Sequence, residues 1–257
     1  MSTTPKKELG QHFLVDENIL GVIGRLAELD SNDVALEIGP GLGVLTRYLA
    51  DRVARVHAVE LDRELEPDLR RALRERTNVE LHFADALAFD YLSIEPPPTK
   101  LVANLPYNIA TPLVAESLDG LPSIGLWCVM VQREVADRFF AQEGTRGYGA
   151  VSVYVRLAAE RTGFHPVSPN VFRPRPNVGS ALVAFRRRQL PDDFRRIKSV
   201  VGAAFAHRRK TLANSLELSG IATRAEAAAA LAKIGRAADA RAQELAPDEF
   251  VRLTRAL

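Results

Sequence analysis

The chain has 257 residues, 47% of them hydrophobic and 26% charged. That length and balance support a full buried core, room for one large domain and a smaller companion, and exclude intrinsic disorder. With no run of eighteen apolar residues, no signal-peptide segment in Met1 to Gly10 and Cys128 as the only cysteine, a cytoplasmic protein is expected, lacking a membrane span, an internal disulfide or a cysteine-based metal site.

In chain order, the apolar run 34–38 leads into a glycine-rich turn and a helical pattern from Val44, and the run 55–59 leads into a charged helical stretch. This predicts a strand–helix–strand–helix unit. Further strands are predicted at 79–83, 101–103, 126–131, 149–157 and 181–185, with helices at 112–118 and 133–142. Such alternation implies a mostly parallel, doubly wound α/β sheet. Segment 168–177 carries three prolines and is expected to be a stiff, extended loop ahead of the last strand. Beyond about residue 190 the strand signals stop. Ala/Leu/Arg-rich helical patterns, broken near Gly220, Gly235 and Pro247, predict a small all-helical domain. The expected division is 1–188 and 189–257.

The net charge of +2 hides an asymmetry. Residues 181–257 hold 15 Lys+Arg against 8 Asp+Glu, a net of +7, and the rest holds 19 against 24, a net of −5. The excess lies in Arg186 to Arg188, in Arg195, Arg196 and Lys198, and in Arg208, Arg209 and Lys210. These clusters are a candidate polyanion surface, and solvated helix faces share the same composition.

Glu37-Ile-Gly39-Pro-Gly41-Leu-Gly43 falls between a predicted strand and helix, where glycines let a ligand approach the backbone. A dinucleotide fingerprint needs glycine at its sixth position, which is Val44 here, and the Gly-Lys-Ser/Thr ending of a P-loop is missing. The spacing therefore argues against NAD and against a bound nucleoside triphosphate. Glu60 ends the second strand, where a carboxylate can take both hydroxyls of a ribose, and Asp85 follows the third, where one can meet an adenine amino group. Gly39, Glu60, Asp85 and Asn104 thus fall at four successive strand ends, the crevice in which open α/β sheets bind ligands.

Asn104-Leu-Pro-Tyr107 follows the apolar run 101–103. An aromatic amine is a poor nucleophile because its lone pair is delocalised into the ring. The Asn104 side-chain oxygen and the Leu105 carbonyl can accept its two N–H bonds, favour a pyramidal nitrogen and release that pair. Pro106 stiffens the turn and Tyr107 offers a stacking face. An ordinary Asn/Pro loop has the same local signature.

These residues carry a resemblance to the ribosomal RNA adenine dimethyltransferases that use S-adenosylmethionine, and it covers nearly the whole chain. The blocks 10–14, 37–43, 104–112, 131–135, 172–180 and 208–216 resemble that family's motifs in order. The resemblance implies a class I methyltransferase fold, Rossmann-like, with a C-terminal helical RNA-binding domain. By it, His12 and Leu14 border the methionine end of the cofactor, Gly39 and Gly41 line it, Glu60 holds its ribose and Asp85 its adenine. Asn104 and the Leu105 carbonyl hold the target amine, and Tyr107 and Phe172 sandwich the target base, although Phe172 also suits a plain core anchor. Arg208, Arg209 and Lys210 would contact RNA.

The 208–216 block resembles the small-subunit branch, which dimethylates two adjacent adenosines near the 3′ end of small-subunit rRNA. The expected partner is that rRNA or a pre-small-subunit particle, the expected state a monomer, and no metal is required. Two other readings stay open at this point: large-subunit methylation conferring macrolide resistance, and a ribosome-assembly factor that acts chiefly by binding. Gly179, Gln243 and His12 depart from residues common in relatives, Asp, Glu and Asn respectively.

Overall fold

The computed structural model describes residues 11–257, so Gly10 of the 10–14 block lies outside the described residues. β1 (Phe13–Leu14) pairs antiparallel with β8 (Phe172–Arg173), Leu14 opposite Phe172. The main sheet comprises β2 (Val34–Ile38), β3 (Arg55–Glu60), β4 (Val79–Phe83), β5 (Lys100–Asn104), β6 (Leu126–Gln132), β7 (Ala159–Val167) and β9 (Ser180–Arg187). Their order is β4-β3-β2-β5-β6-β9-β7. Neighbours from β4 to β6 run parallel, and β9 is antiparallel to β6. β2 is buried along its whole length, as expected of a strand covered on both faces.

Helices α1 (Asn18–Leu26), α2 (Val44–Ala50), α3 (Glu66–Ala72) and α4 (Ala110–Gly120) accompany this sheet, and α5 (Arg133–Phe139) follows β6. Ile23 of α1, Leu49 of α2, Val102 of β5 and Cys128 of β6 belong to one core. Burial pushes the Cys128 thiol up to about 12, in keeping with a packing role.

The chain forms two compact units, one running to Ala136 with Glu160–Arg187 added, the other Asp137–Ala159 with Arg188–Leu257. The second therefore takes in a segment that a division at residue 188 leaves with the first. It contains α6 (Ala150–Ala158), α7 (Phe194–Ala206), α8 (Leu212–Leu218), α9 (Arg224–Lys233) and α10 (Pro247–Ala256). α6 corrects the strand expected at 149–157. Its Val-Ser-Val-Tyr-Val alternation favours a strand locally, but as a helix it places Val153 and Tyr154 against the core that holds Ile197, Leu216 and Phe250. Ser152 supports that choice by accepting the Gly149 N–H (3.1 Å) and donating to the Arg138 carbonyl (2.6 Å). β7 lies outside the expected strands because it is a charged, partly exposed edge strand buried fully only at its two end residues, Ala159 and Val167, so its alternation is weak. Among the described residues no helix is long and apolar enough to cross a membrane.

Candidate active site

From β2 the chain steps outward to β3 and β4, then returns to lay β5 against the other side of β2. The reversal leaves a crevice beyond the carboxyl ends of β2 and β5, the topological switch point of the sheet. A cleft of ≈ 820 Å³, part of it open to solvent, lies there and is lined by His12, Gly39, Gly41, Glu60, Asp85, Asn104, Leu105 and Tyr107 among others. Leu14 borders a smaller adjoining cleft that shares His12, Gly39, Gly41 and Asn104. Residues spread over nearly a hundred positions are thus brought together.

Gly39 and Gly41 have φ of +71° and +58°, which side chains rarely adopt. A Cβ on Gly41 would stand 2.9 Å from the Phe13 ring, and one on Gly39 would stand 3.3 Å from Pro106. Glycine is thus demanded by chain direction and by close packing of the two flanking segments.

Glu60 is only 6% exposed. Burial raises its pKa, and the backbone N–H groups of Asp62 and Gly41 pull the other way. Its Oε1 accepts from Asp62 N–H (2.9 Å) and its Oε2 from Gly41 N–H (3.1 Å), so each oxygen keeps a lone pair for a further donor. Gln11, which sequence reasoning did not single out, lines the same cleft and donates to Asp62 Oδ2 (3.0 Å). It latches the N-terminal segment to the acidic loop. Asp85 is exposed, and its Oδ1 accepts the Leu87 N–H (2.9 Å).

On the other side of the crevice, Asn104 Nδ2 donates to the His12 carbonyl (3.2 Å). Only the amide nitrogen can make that bond, so the orientation of the side chain is fixed, and Oδ1 accepts no hydrogen bond among the described residues. Leu105 gives its N–H to the Met130 carbonyl (3.0 Å), continuing the β5–β6 ladder one step past Asn104. Tyr107 Oη and Ser180 Oγ share a 2.7 Å hydrogen bond, and the His12 ring lies 5.5 Å from the Tyr107 ring. His12 Nδ1–H donates to the Pro174 carbonyl (2.8 Å), which ties the three-proline loop to the cleft.

One further acidic group, not singled out as a site residue by the sequence motifs, belongs to this region. Glu37 is 1% exposed within β2 and lines the smaller cleft. Burial, reinforced by the charge of Glu60, pushes its carboxyl up to about 8. The nearby Thr46 hydroxyl pulls the other way, yet neither Thr46 Oγ1 nor Glu37 Oε2 has a hydrogen bond of full geometry. An acidic residue inside Val34-Ala-Leu-Glu-Ile38 was the sequence signal that could have found it.

Two expectations are corrected. Phe172 is fully buried and packs in the core with Leu14 and Leu182, so it does not line the cleft and Tyr107 alone of the expected pair of rings is presented there. Its strand pairing with Leu14 explains why an aromatic anchor is needed at that point. Arg186 and Arg187 are not a free cationic surface either. Arg186 binds both oxygens of Glu28 (2.7 and 2.6 Å). Arg187 donates to the carbonyls of Leu118, Leu121 and Ile124 and stands 4.8 Å from the Trp127 ring centre. Arg208, Arg209 and Lys210 lie in the other unit, exposed in the turn between α7 and α8. Arg208 reaches the Tyr148 carbonyl (3.4 Å), whereas Arg209 and Lys210 form no ion pair among the described residues.

Comparison with known proteins gives this geometry a family. Residues 2–257 match the model of the ribosomal RNA adenine dimethylase family. A ribosomal RNA small subunit methyltransferase A from Rubrobacter xylanophilus is 51% identical over 98% of this chain and 94% of that protein. One of the same name from Kineococcus radiotolerans is 42% identical over 98% and 86%. Among solved structures, the 23S rRNA methyltransferase ErmE is 31% identical with a TM-score of 0.65, covering 95% of this chain and 99% of that one. A Plasmodium falciparum dimethyladenosine transferase, at 23% identity, shares the fold with a TM-score of 0.76 over 94% and 96%. With a match over almost its entire length and a switch-point cleft that joins the glycine loop to the Asn-Leu-Pro-Tyr turn, the chain belongs to the ribosomal RNA adenine dimethylase family.

Proposed function

We propose that this enzyme dimethylates the exocyclic N6 of two adjacent adenosines near the 3′ end of small-subunit rRNA, with S-adenosylmethionine as donor. The observation that carries the chemistry is the fixed Asn104 amide, whose Oδ1 is held ready as an acceptor in the same cleft as Glu60 and Asp85. The residues present fit the donor: Glu60 combines a carboxylate with spare lone pairs at the position of a ribose-binding acid, beside the Gly39–Gly41 turn that lets a ligand approach the backbone. In this reading Glu60 holds the ribose, Asp85 the adenine amine, and His12, Leu14, Gly39 and Gly41 border the methionine portion. The donor supplies an electrophilic methyl group.

The protein's part is to position the acceptor. Asn104 Oδ1 and the Leu105 carbonyl take the N–H groups of the target amine, favouring a pyramidal nitrogen whose lone pair is free to react. Tyr107, held by Ser180, supports one face of the extruded base. Phe172 contributes by holding β8 to β1 from within the core. Neither Glu60 nor Asp85 is needed as a base, since the methylated ammonium product is acidic enough to lose its proton to water.

Small-subunit specificity rests on the 51% identity to a small subunit methyltransferase A, against 31% to a 23S enzyme. A cytoplasmic monomer acting on the rRNA or on a pre-small-subunit particle is the accompanying reading. It is tested by incubating the protein with methyl-labelled S-adenosylmethionine and unmethylated small or large subunits, then identifying labelled nucleosides by mass. Dimethyladenosine in the small subunit alone is expected. Label confined to the large subunit would transfer the protein to the resistance branch, and tight binding without label would make it an assembly factor.

Arg209 and Lys210 are exposed and form no ion pair among the described residues, so both are free to meet phosphate. The double change Arg209→Gln, Lys210→Gln should weaken RNA binding and lower the slope of log affinity against log salt by about 2. Turnover at saturating RNA should stay near its original value. An unaltered slope would mean that this turn faces only solvent.

A further inference from the structure

β3 and β4 are parallel neighbours, with His57 opposite Glu80 and Val59 opposite His82. Because His82 is two residues from Glu80, the side chains of His57, Glu80 and His82 share one face of the sheet. Their ligand atoms all lie within 4.8 Å of one another. His57 Nδ1 and His82 Nε2 are 3.3 Å apart, and Glu80 approaches each of them to 3.8 Å through Oε2 and Oε1 respectively. None of the three belongs to the lining of the cleft described above.

We infer that His57, Glu80 and His82 form a binding site for a borderline divalent transition-metal ion, with zinc as the first candidate. Two nitrogens bound to one tetrahedral zinc at ~2.0–2.1 Å stand about 3.3 Å apart, which is the separation found here. As a simple hydrogen bond between two imidazoles, 3.3 Å is longer than the favourable range. The buried His57 ring donates Nε2–H to the Pro96 carbonyl (3.1 Å). That bond leaves Nδ1 as the lone-pair atom facing His82 and Glu80, and a ligating histidine is characteristically held by such an outer bond. Burial lowers the pKa of both histidines, which favours the neutral form that binds metal. On binding, His82 needs only to carry its proton on Nδ1 rather than Nε2. Water completes the coordination.

Among the described residues the opposing charge that contacts the cluster is Arg55, whose Nη2 lies 2.8 Å from Glu80 Oε2, the two side chains being 38% and 42% exposed. A pair so open to water is weak, so Glu80 can exchange Arg55 for the ion. The ion would join β3 and β4, which end close to Glu60 and Asp85, at a distance from the reacting atoms.

The test is zinc titration of the tag-free, chelator-treated full chain by calorimetry, with cobalt(II) absorption as a reporter of coordination and thermal unfolding as a reporter of linkage. One equivalent is expected, with the ligand-field spectrum of a four-coordinate ion and a raised Tm. His82→Ala should weaken binding by about a hundredfold or more, since even loss of an outer-shell partner costs ~10–100-fold. Arg55→Gln should tighten it. Should His82→Ala fail to fold, imidazole NMR of the unaltered protein decides, because zinc must shift the His57 and His82 ring signals. Absence of saturable binding, binding unchanged in His82→Ala, or ring shifts confined to other histidines would each overturn the assignment.

Discussion

Replacing Asn104 with alanine is expected to lower turnover by ~100-fold or more at saturating cofactor and RNA, the loss typical of removing one preorganised hydrogen-bonding group at a reacting centre. The Asn104 amide is already committed at one end, where Nδ2 is held by the His12 carbonyl, and Oδ1 is therefore positioned before any substrate arrives. Its alignment needs no reorganisation during the reaction. Alanine removes the acceptor and also the tether from β5 to the N-terminal segment. The two losses separate kinetically: a missing acceptor lowers kcat, whereas a displaced His12 would chiefly raise the KM for cofactor. Single-turnover methylation of small subunits, with both ligands saturating, reads the first effect alone. Undiminished turnover there would remove Asn104 from the catalytic role.

Much of this cleft was legible in the chain because its residues sit at changes of local pattern. Gly39 and Gly41 interrupt a strand-to-helix step, and Glu60, Asp85 and Asn104 each stand where an apolar run stops. Strand ends are local features, and the sheet rule then gathers them without any knowledge of side-chain contacts. What was hidden depends on distant partners. Phe172 occupies a proline-rich loop that suggested a base platform, yet it is held in the core opposite Leu14, more than 150 positions away. Arg187 looked like part of a basic patch, but three carbonyls and Trp127 absorb its guanidinium and burial lowers its pKa. The 149–157 segment has strand-like composition and becomes α6 because its apolar side chains complete a helical core. The His57, Glu80 and His82 cluster likewise needs the β3–β4 register, which no local pattern supplies.

The second large effect is expected from Glu37→Gln, which should stabilise the protein at pH 8 by about 2 kcal/mol or more and leave it almost unchanged near pH 4. In the unfolded chain Glu37 titrates near its ordinary value of 4.5, whereas burial, with Glu60 adding its charge, raises the folded value to about 8. Between those values the folded protein keeps a proton that the unfolded chain has released. Its stability therefore falls as pH rises, by at most about 1.4 kcal/mol per pH unit from this group, and the decline ends once the folded carboxyl ionises. Glutamine has the shape and donor–acceptor pair of the protonated acid and cannot ionise, so this component of the slope disappears. Denaturant unfolding of both proteins from pH 4.5 to 8.5 measures it as two curves that diverge with pH. Parallel curves would mean that Glu37 ionises in the fold as readily as in water. Divergence would identify a carboxyl that destabilises the folded chain at neutral pH from within the wall of the smaller cleft, the environment in which a perturbed acid is a candidate for a role toward a ligand.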